Sequence, residues 1–137
     1  MAYVHTEILI AAEPADVWSA LSDWGALHER LVPGFVQDTQ LDGDARIVTF
    51  GNGVVVRELL LDCDELERRL SWTIVDGPYA HHNGVAQVFP AGAGQARFVW
   101  VADVLPNELA EQTAAMMRQG SVVAKQTLEG AASSGGA

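Results

Sequence analysis

The stretch PNELAEQTAAMMRQGSVVAKQTLE, Pro106 to Glu129, decides the fold. Proline suits the first turn of a helix, where the N–H it lacks has no partner anyway. Asn107 or Leu105 lies at the cap, and Gly130, which takes φ > 0 freely, supplies the stop. Between these ends Leu109, Thr113, Met116, Met117, Gly120, Val123, Ala124, Thr127 and Leu128 recur at spacings of three and four residues, one stripe of helical period. Glu108, Glu111, Gln112, Arg118, Gln119, Lys125 and Glu129 take the opposite side. The spacing predicts a helix of about six turns that needs a concave sheet to lie in. Two adjacent methionines and a glycine within the stripe make that face soft and locally hollow. A packed core helix and a helix that closes a ligand cavity both fit this pattern.

Working back from the helix, the period is mostly two. Tyr3–Ile10 alternates and reads as a strand; Pro14 then opens a short helix that buries Val17 and Leu21, and Asp23 caps a second one, Trp24–Leu31, ended by Pro33-Gly34. Six strands follow: Phe35–Asp42, Arg46–Phe50, Val54–Cys63, Arg68–Val75, His82–Phe89 and Gln95–Val104. Gly51-Asn52-Gly53 is a hairpin signal, and such local connections make the six-strand run antiparallel. The order β-α-α-β6-α predicts an α+β fold.

At 137 residues one domain is expected, 1–130, followed by a flexible, disordered tail, 131–137. A chain of this size buries about 68–70% of its unfolded surface, enough for a true core. The net charge of −10 argues against nucleic acid and anionic membrane surfaces, both of which call for basic patches. A single cysteine, Cys63, excludes an internal disulfide, and its carboxylate neighbours Asp62 and Asp64 make it a poor nucleophile. The start lacks the pattern of a signal peptide, and no stretch approaches the ~18 apolar residues of a membrane span, so a cytoplasmic protein without membrane insertion is expected. His5, His28, His81 and His82 show no zinc-site spacing, so no metal or other cofactor is expected.

Alternation decides which side chains face the helix. Leu70, Trp72 and Ile74 form the bulky set of their strand, as do Phe98, Trp100, Ala102 and Val104 of theirs. In His82–Phe89 the set His82, Gly84, Ala86 and Val88 is small, which leaves a hollow or room for the helix. Val54–Cys63 is ambiguous: either Val56, Glu58 and Leu60 or Arg57, Leu59 and Leu61 point inward.

Several segments resemble the SRPBCC superfamily (START-like, or birch-pollen-allergen-like), in particular its polyketide cyclase/dehydrase branch. They are Ile10-Ala-Ala-Glu-Pro-Ala-Asp-Val-Trp-Ser-Ala-Leu-Ser-Asp-Trp24, Gly43-Asp-Ala-Arg-Ile-Val-Thr49, Val56-Arg-Glu-Leu-Leu-Leu61, Arg68-Arg-Leu-Ser-Trp72 and Gly77-Pro-Tyr-Ala-His-His-Asn83. The resemblance spans about residues 3–129. It implies a helix-grip fold, a curved seven-stranded antiparallel sheet wrapped around the C-terminal helix, with a mostly apolar cavity between them. It places Glu58 at an inward polar position, residues 79–82 in a loop at the cavity mouth, and Phe98, Trp100, Met116 or Met117, and Gly120 on the cavity wall. Where many relatives carry a Trp-His-Pro-like stretch, this chain has His28-Glu-Arg-Leu-Val-Pro33, which alters the mouth.

The expected ligand cavity is thus lined by Glu58, Trp72, His81, His82, Gly84, Ala86, Phe98, Trp100, Met116, Met117 and Gly120. The expected partner is a small hydrophobic or aromatic molecule bound by a carrier, a monomer or homodimer. The alternative is a cyclase/dehydratase-like enzyme in which Glu58 moves protons with His82 or Tyr79, a desolvated carboxylate being suited to that work. A domain with a filled core and no ligand is the third reading. A lone inward Glu58 predicts that Glu58→Gln weakens binding or turnover while leaving the thermal midpoint unchanged or higher.

Overall fold

The computed structural model describes residues 1–135. Its strands are β1 (Ala2–Ile10), β2 (Val36–Asp42), β3 (Ala45–Phe50), β4 (Val55–Asp64), β5 (Arg69–Ile74), β6 (His81–Pro90) and β7 (Ala96–Leu105). They form one seven-stranded sheet in the order β1-β7-β6-β5-β4-β3-β2, every neighbouring pair antiparallel. Helix α1 (Pro14–Ser22) and a π-helical turn, Leu27–Leu31, link β1 to β2, and the long helix α2 (Ala110–Gly135) lies against the sheet. This is the helix-grip arrangement expected. Bulges at Val36/Asp38 and Leu60/Asp62 add local twist, which bends the sheet around the helix.

Three boundaries differ from the sequence reading by more than one residue. Pro106 precedes a 3-10 turn, Asn107–Leu109, and α2 starts only at Ala110. Gly130 does not stop the helix, and 131–135 continue it rather than forming a disordered tail. Ala131 and Ala132 favour helix, and one exposed glycine costs a helix only about 1 kcal/mol. Residues 136–137 of the expected tail lie outside the described residues. The predicted helix Trp24–Leu31 shrinks to the π-helical turn Leu27–Leu31, and the carbonyl of Trp24, which lies before that turn, accepts from Arg46 Nη1 at 3.2 Å.

The buried stripe of α2 is Thr113, Met117, Gly120, Ser121, Ala124 and Leu128. Its far end is fastened to the sheet edge, where Lys125 Nζ donates to the Leu9 carbonyl at 2.7 Å and Glu129 Oε2 accepts the Ala11 N–H at 2.8 Å. Helix α1 is fastened through Trp18 Nε1, which donates to Glu65 Oε2 at 2.6 Å. Two apolar clusters result. The larger joins α1, the π-helical turn and the sheet centre; the smaller packs Met117 against Val4, Ala102 and Val104.

Candidate functional site: a cavity with a polar floor

Alternation in β4 resolves in favour of Glu58. Val56 and Glu58 are buried, Arg57 is half-buried on the other face and pairs with Asp42 at 2.6 Å. Glu58 does not stand alone. Arg46 of β3 sits directly opposite it in register and is 3% exposed. Arg46 Nε and Nη2 both reach Glu58 Oε1 at 2.8 Å. The guanidinium stacks on the Trp24 ring, 3.7 Å from its centroid. Burial pulls the Arg46 pKa down and Glu58 pushes it back up, and a guanidinium keeps its proton in either direction. The inward carboxylate is therefore one half of a buried ion pair. The sequence reading missed Arg46 entirely.

His82 and His81 point to opposite faces, as adjacent strand residues must. His82 is 5% exposed and lines the cavity, whereas His81 is exposed and does not. The Ile74 N–H donates to His82 Nδ1 at 3.2 Å, and Thr73 Oγ1 donates to the His82 carbonyl. Burial, reinforced by the neighbouring His81, lowers the His82 pKa to about 4. The ring is thus neutral near pH 7, with its proton on Nε2. Among the described residues no cluster of three or more His, Cys, Asp or Glu could hold a metal ion.

An internal cavity of about 60 Å³ lies between sheet and helix. Of the expected wall residues Glu58, Trp72, His82, Ala86, Phe98, Trp100, Met116 and Gly120 line it. Three do not. His81 faces out. Met117 turns away from Met116 and fills the second cluster. Gly84 lies beneath the Trp72 indole, where a Cβ would come within 2.9 Å of Cε2. Gly84→Val therefore pushes that ring toward the cavity, and we expect it to cost about 2 kcal/mol in chemical denaturation; unchanged stability would mean that Trp72 is free to move. Gly120 is not simply a hollow, since the rings of Phe35 and Trp100 fill the space a side chain would need, each 3.1 Å from its Cβ position.

Wall residues that the sequence reading did not name come from the π-helical turn and its exit: Leu27, Leu31, Val32 and Phe35, with Phe50 from β3. The π-helical turn brings Leu27 and Leu31 over the sheet, and such turns often mark functional sites. Outside lies an open groove of about 700 Å³. Phe35, Phe50, Ile74 and Met116 belong to both spaces and separate them. Tyr79 lines the groove rather than the cavity, and its hydroxyl is hydrogen-bonded to Thr113 Oγ1 of α2 at 2.6 Å, tying the β5–β6 loop to the helix.

A family model described as polyketide cyclase/dehydrase and lipid transport matches residues 1–130. No curated protein matches the sequence. Among solved structures, the di-domain ARO/CYC BexL from the BE-7585A biosynthetic pathway superposes with a TM-score of 0.80 at 15% identity, over 94% of this chain and 47% of that one. A START superfamily protein from Mycobacterium smegmatis gives 0.70 at 15% identity, over 96% and 97%. A truncated norcoclaurine synthase from Thalictrum flavum gives 0.69 at 19%, over 93% and 94%. At these identities the likeness is one of fold.

Proposed function

Because the chain belongs to the polyketide cyclase/dehydrase and lipid transport family, we propose that it binds a small apolar or aromatic molecule in the cavity between the sheet and α2. The observation that carries this reading is an internal space walled by aromatic and aliphatic side chains with a few polar groups converging on it, the composition typical of small-molecule sites. At about 60 Å³ it is smaller than the roughly 300–1,000 Å³ of ligand pockets in general. Even a single-ring ligand therefore enters by displacing Phe35, Phe50 or Met116, which joins the cavity to the outer groove.

A second reading, a cyclase- or dehydratase-like enzyme, draws support from Glu58 and His82 lining one cavity. Their roles in it differ from a simple relay. The backbone of β5 lies between them, so any proton passes through the substrate. His82 Nε2 offers a proton and Nδ1 has no free lone pair, so His82 polarises a carbonyl while Glu58 is the base. Tyr79, outside the cavity, serves the mouth.

Native mass spectrometry of the purified protein, followed by analysis of what denaturation releases, tests the binding reading. A stoichiometric apolar or aromatic molecule is the expected result. A clean apo mass, together with no rise in thermal midpoint across a screen of small aromatic compounds, would contradict it.

A further inference from the structure

The cavity floor has two polar ends of opposite hydrogen-bonding character. Register sets Glu58 of β4 opposite Ile74 of β5, and the Ile74 N–H donates to His82 Nδ1 of β6. Glu58 and His82 thus stand in one row across the sheet with Ile74 between them, two strand spacings or about 10 Å apart at the backbone. Each keeps one atom open. Both Arg46 contacts to Glu58 fall on Oε1, and Oε2 has no partner among the described residues. On His82 the Nδ1 lone pair is taken, so Nε2 carries the proton, and it too has no partner among the described residues. One end can only accept and the other can only donate. The walls between and above them are the apolar Ile74, Trp72, Phe98 and Trp100.

Resting on the reading that this cavity takes a ligand, we propose that it selects a planar aromatic molecule with a hydroxyl at one end and a carbonyl at the other. The hydroxyl donates to Glu58 Oε2, and the carbonyl accepts from His82 Nε2–H. The physical reason is the asymmetry of buried hydrogen bonding. A ligand that lacks either group still strips water from the site, and it leaves a buried acceptor or donor unpaired. Arg46 acts as a positioning residue: it fixes Glu58 through Oε1 and so aims Oε2.

Four probes of nearly equal size separate the terms, with calorimetry on the full chain: 4′-hydroxyacetophenone, 4-ethylphenol, acetophenone and ethylbenzene. The hydroxyketone is expected to bind at least about tenfold more tightly than either singly substituted compound, and those more tightly than ethylbenzene. His82→Phe should erase the preference for the hydroxyketone over 4-ethylphenol, since the donor that reads the carbonyl is gone. The ligand series alone decides the matter if that variant does not fold. Equal affinity for all four would overturn the two-ended recognition and leave the cavity reading standing. Binding of none of them would overturn both.

Discussion

Glu58→Gln is expected to lower the stability of the fold by about 3–5 kcal/mol, because it leaves the Arg46 guanidinium buried without a counter-charge. For a chain of this length that is a fall in thermal midpoint of about 10 °C or more. The sequence reading expects the opposite, an unchanged or higher midpoint, since a lone carboxylate in an apolar cavity is a burden that glutamine relieves. The ion pair reverses the sign. Arg46→Met should cost a similar amount for the mirror-image reason. The double variant Arg46→Met/Glu58→Leu should recover most of the loss, since replacing a whole buried pair by apolar groups is often neutral. Urea denaturation of the four proteins gives the coupling energy. Two small, additive single effects would show that the pair is not a unit. Glu58→Gln alone is thus a poor test of function, because lost affinity and lost stability arrive together.

The second large effect is a dependence of stability on pH set by His82. In the folded protein its pKa is about 4, chiefly through burial, against an ordinary value of 6.5. Between those pH values the unfolded chain holds a proton that the folded chain does not. Acid therefore favours unfolding throughout that window, and stability rises from pH 4 to pH 6.5 and gains nothing more from this group above it. The full swing is about 3 kcal/mol. Carboxylates titrate in the same range, so the informative quantity is the difference between wild type and His82→Gln, followed by denaturation from pH 4 to 7.5. That difference should widen in favour of the variant as pH falls. A constant difference would mean that His82 titrates alike in both states.

Local punctuation made most of the fold legible. Asp42-Gly43-Asp44 and Gly51-Asn52-Gly53 force turns whatever the rest of the chain does, so the flanking strands end within a residue or two of where they were expected. Alternation separated His81 from His82 for the same reason. The pairing of β1 with β7 has no such local mark, since its partners are about ninety residues apart or more; it was available only through the family resemblance. Arg46 was within reach. Counting outward from Asn52 pairs Val48 with Val56 and Arg46 with Glu58, so an inward Glu58 implied an inward arginine opposite it. The wall contributed by Leu27, Leu31 and Phe35 was not, because it depends on a π-helical turn that tertiary contacts shape. Met117 was misplaced because adjacent residues on a helix point about 100° apart, and a stripe wide enough to hold both methionines faces two different neighbours.

Those methionines also give the most direct test of the central claim, that a small aromatic molecule binds between the sheet and α2 at the cavity wall that Met116 shares with the outer groove. The chain has three of them: Met116 in the cavity wall, Met117 in the separate cluster, and Met1 exposed at 67%. With methionine methyls labelled with carbon-13, titration with 4-ethylphenol should move the Met116 resonance through the ring current of the bound molecule, to saturation, while Met117 and Met1 barely change. A saturating ligand that leaves Met116 unmoved, or that shifts all three alike, would place binding elsewhere and contradict the account.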